Sequence, residues 1–228
     1  NNVRDYDYWN FSSEIYAAHR LFYDLGFVSQ EPKIVVVNLN GEHKGVYIEL
    51  ERINEKFLRN KKIMPVNVYK GENASIEKPI GINSNLFNNP YLWNKLSVFR
   101  DVNDKSDLAY FLKTLKENEL EKIPDPTING YIDVKNFSKF LAFLTITQNN
   151  HHDWYHNMRL IVDPWNGKVT QIITDPIIGD EVQFQDKRMN EFLIDFSSND
   201  LTSYLTRSSI VNNEKYKWLY KYIIEKNQ

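Results

Sequence analysis

The spacing of apolar residues along the chain predicts several helices. The first covers residues 12–25 and ends before Gly26, a residue type that commonly follows the last helical turn. A short helix is predicted at residues 53–59. Longer amphipathic segments predict three more helices, around residues 108–115, 134–148 and 216–223.

Runs of β-branched and aromatic residues predict two hairpins and a separate strand. Residues 33–39 and 45–51 flank Asn40-Gly41, which is a strong hairpin signal. Residues 158–163 and 169–174 form a second hairpin around a tight turn. Residues 65–70 predict a strand ending in Lys70, and residues 96–99 predict another. Residues 71–94, rich in Asn, Gly and Pro, predict a long surface excursion, and a polar stretch with Pro124 and Pro126 separates two helices.

This order of elements predicts an α+β fold with two lobes. Strands concentrate in residues 1–104 and helices in residues 105–228, where the second hairpin is inserted. The chain has 228 residues, enough for one compact domain built from two such lobes around a cleft.

Composition narrows the classes of function. The net charge of −2 gives no general attraction for nucleic acid or anionic membranes, and we find no basic clusters among the aromatic residues. The absence of cysteine excludes disulfides, thiolate zinc sites and a cysteine nucleophile. No apolar run approaches the roughly 20 residues that cross a bilayer. Because the sequence starts without an initiator Met, we expect a trimmed or mature fragment, and its localisation stays open.

Polar residues of the types used in catalysis and metal binding concentrate in residues 149–157. This segment holds three of the five histidines, three asparagines and Asp153. Asn157 and Asp175 stand at the far ends of the two strands of one predicted hairpin, so we expect them to be neighbours. Carboxylate and amide oxygens suit Mg²⁺ bridging phosphates. Asp153, four residues before Asn157, is placed to orient or deprotonate an attacking hydroxyl.

Two simpler interpretations compete with this one. Asp and Asn commonly cap turns and hairpin ends. The histidines also permit a metal-dependent hydrolase, since His152 and His156 have a spacing used by zinc ligands, although no glutamate accompanies them as in His-Glu-x-x-His.

The order of these residues resembles that of protein kinases. There, a catalytic loop supplies an Asp and then an Asn, and an Asp at the end of the following hairpin binds metal. By this likeness Lys70 contacts nucleotide phosphates and Glu51 is its ion-pair partner. The chain departs from ordinary kinases because it has only 8 glycines and no glycine-rich loop, and because Asp175-Pro176-Ile177 replaces Asp-Phe-Gly.

A narrower resemblance covers most of the chain. The carrying segments are Leu39-Asn-Gly-Glu-His-Lys-Gly-Val-Tyr-Ile-Glu-Leu-Glu51, Val68-Tyr-Lys70, Ile132-Asp-Val-Lys-Asn-Phe137, Asp153-Trp-Tyr-His-Asn157 and Gly167-Lys-Val-Thr-Gln-Ile-Ile-Thr-Asp175. In this order they resemble the spore-coat protein H (CotH) kinase family. The resemblance implies an atypical protein-kinase-like fold, with ATP and Mg²⁺ or Mn²⁺ as cofactors and Ser/Thr of a protein as the phosphate acceptor. It also implies a spore-coat, exported or cell-surface location.

The same resemblance assigns roles to individual residues. Lys70 binds nucleotide phosphates, Asp153 is the catalytic aspartate, and Asn157 and Asp175 hold metal. His151 and His156 are candidate supporting residues.

One departure from the family pattern opens an alternative to an active kinase. Where the family often shows Trp-Asp-x-Asp, this chain has Thr174-Asp175-Pro176-Ile177, so the Trp and the second Asp are missing. Asp180 is a candidate substitute at a shifted spacing. The alternative is a pseudokinase, a non-catalytic surface or spore-coat module of the same fold.

Overall fold

A computed structural model describes residues 5–72, 85–120, 126–147, 149, 151–176, 197 and 199–223. This part of the chain contains two antiparallel sheets and seven α-helices, which confirms the predicted α+β class. Within the described ranges, none of the helices combines the length and apolar character that crossing a bilayer requires.

The first sheet is built around the hairpin predicted at Asn40-Gly41. Its strands are β1 (Tyr6–Asn10), β2 (Pro32–Leu39) and β3 (Glu42–Glu51), in the order β1-β3-β2. Asn40 and Gly41 have φ angles of 52° and 84°, the left-handed pair that a tight two-residue hairpin turn requires. Helix α1 (Ser13–Asp24) lies between β1 and β2 in sequence, and α2 (Glu55–Asn60) follows β3.

The second sheet pairs the lysine strand with the inserted hairpin. Its strands are β4 (Asn67–Gly71), β5 (Trp93–Ser97), β6 (Met158–Asp163) and β7 (Lys168–Gln171), in the order β5-β4-β6-β7. β4 therefore pairs with a strand that lies far away in sequence. This sheet joins strands from both sides of residue 104, and the division into lobes 1–104 and 105–228 stays a prediction.

Five helices complete the described structure: α3 (Ser106–Leu120), α4 (Pro126–Tyr131), α5 (Val134–Thr147), α6 (Asp200–Arg207) and α7 (Ser209–Ile223). Helix α5 is central, and its predicted inward residues Phe137, Phe140, Leu141 and Leu144 are at most 1% exposed. The main core contains side chains from α5, from α3 and α6, and from the inner face of the second sheet.

Two sequence predictions about connecting segments were wrong in part. Pro126 begins α4 instead of extending a polar connection, because proline suits the first position of a helix. The described end of segment 71–94 is not a surface excursion, since Leu86, Phe87 and Trp93 are at most 2% exposed. Two single-turn 3₁₀ helices carry this end, and such short turns leave no periodic pattern to detect.

Residues 28–30 connect the two sheets. The Ile173 amide, which follows β7, donates to the Val28 carbonyl at 3.0 Å. The Gln30 side chain donates to the Glu51 carbonyl at the end of β3 at 2.6 Å. This short segment therefore ties the end of β3 to the strand end that leads to Asp175.

Candidate functional site

A cleft of about 420 Å³ is lined by both sheets. From the first sheet and the residue that follows it come Asp7, Trp9, Leu50 and Arg52. The second sheet and the residues at its strand ends contribute charged and polar side chains that include Lys70, Glu72, Asn157, Arg159 and Asp175. Three of the predicted site residues therefore lie in one cleft, namely Lys70, Asn157 and Asp175.

Asn157 and Asp175 are neighbours, as the hairpin geometry predicted. The Asn157 amide donates to Asp175 Oδ2 at 3.2 Å. Both residues have left-handed backbones, with φ angles of 59° and 46°. Asn and Asp tolerate this conformation better than most residues, and such outliers cluster at functional sites. The backbone thus holds two hard-ligand side chains together at one edge of the cleft.

This pair fits a hard divalent cation. Rotation of the Asn157 amide by half a turn exchanges its nitrogen and oxygen, which directs a second oxygen toward the Asp175 carboxylate. Within the described ranges, no three His, Asp or Glu side chains converge as a metal site. Two protein oxygens are nevertheless sufficient for Mg²⁺, which typically takes its remaining ligands from water and substrate phosphates.

Asp175 remains anionic although it is largely buried. Burial by itself raises the pKa of its carboxyl group, but the interaction with His151, with smaller contributions from His152 and His19, holds this pKa below its ordinary value. Its side chain is 28% exposed. A charged carboxylate that still reaches solvent can accept a cation.

The Asp153 carboxylate bonds to groups of its own loop. Its Oδ1 accepts hydrogen bonds from the backbone amides of Tyr155 and His156, both at 2.8 Å. The same oxygen lies 2.7 Å from His156 Nδ1. Asp153 does not belong to the described residues that line the cleft. The predicted catalytic carboxylate thus stabilises the turn between the buried helix and Asn157.

The two supporting histidines lie beside the two aspartates. His151 Nδ1 lies 3.1 Å from Asp175 Oδ2, and this interaction raises the pKa of His151. The His151 and His156 rings meet edge to face with centroids 5.0 Å apart.

His152 belongs to the core. It is fully buried, its ring packs edge to face on Phe140, and burial lowers its pKa to about 4. A zinc pair of His152 and His156 therefore receives no support.

The predicted ion pair between Lys70 and Glu51 is wrong. Alternation along β3 places Leu50 on the cleft side and Glu51 on the opposite face, where Asn60 donates to its carboxylate at 2.5 Å. Lys70 forms its ion pair with Glu72, which follows it by two residues just after the end of β4. Glu51 thus stands outside the cleft that contains Lys70.

Sequence reasoning missed Glu72 and Arg159. Arg159 is paired directly with Lys70 across β4 and β6, and burial lowers its pKa to about 10. The spacing of both residues in the sequence could have identified them, because residues two apart on a strand share a face. Glu72 follows Lys70 by two residues, and Arg159 follows Asn157 by two. Asp180 and Ile177 lie outside the described residues.

A comparison with protein families identifies one that covers nearly the whole chain. A family described as CotH kinase protein matches residues 15–227. The chain belongs to the CotH kinase family. The match covers nearly the whole chain and includes every candidate site residue, and membership of this family suggests a kinase-like function. A comparison with curated proteins found no match.

Proposed function

We propose that this CotH family member is an ATP- and divalent-metal-dependent protein kinase that transfers the γ-phosphoryl group to Ser or Thr of a protein. One observation supports the proposal above all. A lysine on a central strand and a pair of hard metal ligands, Asn157 and Asp175, line the same cleft. This combination suits positioning and charge stabilisation, which dominate catalysis of phosphoryl transfer.

Each residue then has a defined task. Lys70 binds nucleotide phosphates, while Asn157 and Asp175 would hold the metal, which would supply positive charge to the phosphate oxygens. The acceptor hydroxyl oxygen bonds to the γ-phosphorus as the bond to the β–γ bridging oxygen breaks, and ADP leaves. Asp153 orients the hydroxyl and takes its proton. A location in the spore coat or at the cell surface is part of the proposal and rests on the family resemblance alone.

The test is phosphate transfer from labelled ATP, with Mg²⁺ or Mn²⁺, to a Ser-rich protein acceptor. Asp153→Asn is the decisive variant, because its amide oxygen still accepts the two loop hydrogen bonds while the charge is lost. We expect it to lower the transfer rate on the order of a hundredfold or more. If no protein acquires phosphate, or if Asp153→Asn equals the parent, the proposed catalysis is wrong.

A pseudokinase is the second candidate, favoured by one observation. The Asp153 carboxylate is engaged by its own loop outside the cleft lining. Ile177, in place of the family's second aspartate, points the same way. A thermal-shift titration separates the candidates, because ligand binding to the native state raises its apparent stability. A shift with ATP and Mg²⁺ but without transfer supports the pseudokinase.

A further inference from the structure

Two cations stand directly opposite each other on the cleft side of the second sheet. Lys70 on β4 pairs with Arg159 on β6, and both side chains line the cleft. Their strand neighbours Tyr69 and Leu160 also pair across β4 and β6, but both are fully buried in the core. Alternation along the strands therefore fixes both cations on the same face, side by side.

This arrangement is unfavourable for the isolated sheet. Like charges directly opposite on neighbouring strands destabilise a sheet. Glu72 is the neighbouring carboxylate: it forms an ion pair with Lys70, and its Oε2 lies 3.9 Å from Arg159 Nη2. Glu72 is shared between the two cations, while Asp7 and Asp175, which also line the cleft, act on Lys70 and Arg159 through space.

Arg159 retains unused hydrogen-bonding capacity. Its side chain is only 12% exposed. Within the described structure its hydrogen bond runs from Nη1 to the Met158 carbonyl at 3.0 Å. A guanidinium group has five donors in a fixed fork that matches phosphate oxygens. Among the described residues, the carboxylate in ion-pair contact with this largely buried guanidinium lies 3.9 Å away, which leaves room for an anion that reaches the cleft from solvent.

We propose that Arg159 is a second phosphate-binding cation beside Lys70, and that Glu72 positions the two cations for a polyphosphate chain. The proposal rests on the proposed nucleotide-dependent function and adds Arg159 to the residues that bind the phosphates. Two adjacent cations match two linked phosphates, whereas a monophosphate can engage them only in part. We call the pair Lys70 and Arg159 the phosphate anchor. Asn157, a candidate metal ligand, lies two residues before Arg159 and lines the same cleft, so the anchor lies beside the candidate metal site.

The test is calorimetric titration with inorganic triphosphate, ATP and AMP in the presence of EDTA, which isolates the cations from any metal. Arg159→Gln weakens triphosphate and ATP binding by about tenfold or more, the size expected for losing charge-assisted hydrogen bonds. AMP binding changes less. Arg159→Lys falls between, because it keeps the charge and loses the fork. Arg20→Gln is the control, since Arg20 lies outside the cleft lining and is paired with Asp24 at 2.8 Å; it should bind triphosphate like the parent.

Glu72→Gln provides an independent test, because it should change the affinity for triphosphate in the opposite direction. Removing the carboxylate that competes with phosphate tightens triphosphate binding, while transfer slows because Lys70 loses its positioning partner. If Arg159→Gln fails to fold, Arg159→Lys and Glu72→Gln decide the matter. The anchor is overturned if triphosphate does not bind the parent, or if both of these variants bind triphosphate like the parent.

The outcomes also separate this anchor from the proposed kinase activity. Triphosphate binding that depends on Arg159, without phosphate transfer, sustains the anchor and defeats the kinase proposal. Phosphate transfer with an unchanged KM for ATP in Arg159→Gln sustains the kinase and defeats the anchor.

Discussion

Two buried histidines make the stability of the fold sensitive to acid. Burial lowers the pKa of both His19 and His152 to about 4, from an ordinary value of 6.5. Both are therefore neutral in the folded chain at neutral pH. As the pH falls below about 6.5, the unfolded chain binds protons that the folded chain does not. Their contribution to stability is thus complete above pH 6.5 and is lost as the pH falls toward about 4.

His19→Phe should flatten this acid dependence. His19 packs edge to face on Trp9, and within the described structure its Nε2 has no hydrogen-bond partner, so Phe keeps the packing. Between pH 6 and 4.5 the slope of the unfolding free energy should fall by about 1.4 kcal/mol per pH unit, the contribution of one proton. Urea unfolding across this range measures it. The exposed His43→Gln is the control and should keep the parent slope; an unchanged slope in His19→Phe contradicts the prediction.

The loop hydrogen bonds of Asp153 predict that two substitutions there differ in stability. Asp153→Ala leaves the Tyr155 and His156 amides without their side-chain acceptor, and should cost about 1–2 kcal/mol of unfolding free energy. Asp153→Asn retains the acceptor and should stay much closer to the parent. Thermal unfolding of both variants measures the difference. Equal stabilities would mean that the carboxylate does not hold this loop.

At the scale of elements, the glycine that follows Lys70 on β4 leaves space for a tryptophan of β5. A Cβ atom at Gly71 would lie 2.7 Å from the ring of Trp93, which is fully buried and donates through Nε1 to the Leu86 carbonyl at 2.8 Å. The ring cannot move without breaking that hydrogen bond or the packing between β4 and β5. Gly71 therefore permits the close approach of β4 and β5 next to Lys70.

Gly71→Ala should lower the unfolding free energy by about 1–3 kcal/mol, as overpacking of a tight core usually does. Gly130→Ala is the matched control. It lies in α4 with nothing within 4 Å of the new Cβ, and should be neutral or stabilising by up to about 1 kcal/mol. Chemical unfolding of both variants checks this. A Gly71→Ala protein as stable as the parent would show that Trp93 has room to shift.

Elements encoded by local pattern could be predicted from the sequence, and contacts between distant segments could not. The Asn40-Gly41 hairpin and α5 follow from turn chemistry and helical spacing within a few residues. The Asn157–Asp175 contact was within reach because both residues end the same hairpin. Glu72 was also within reach, since it follows Lys70 by two residues. The position of Arg159 opposite Lys70 was not, because it depends on which strand β4 joins, and the face of β3 on which Glu51 projects was not either.

At the scale of the whole molecule, the cleft depends on two sheets that are joined through a short segment. Residues 28–30 bond to the end of β3 and to Ile173, two residues before Asp175. A ligand that fills the cleft touches Trp9 and Leu50 on one side and Lys70 and Asn157 on the other. Binding should therefore stabilise both sheets together, and not only the strand that carries the lysine.

Hydrogen exchange with and without ATP and Mg²⁺ tests this coupling. At a ligand concentration of about 100 times Kd, binding adds about 2.7 kcal/mol to the stability of the native state, which slows amides that exchange through global unfolding by about a hundredfold. We expect that slowing in β1 and β3 as well as in β4 and β6. Asp175→Asn, which removes the charge at the candidate metal site, should reduce it in both sheets. Slowing confined to the second sheet would mean that the nucleotide binds without engaging Trp9 and Leu50, and that the first sheet does not form part of the site.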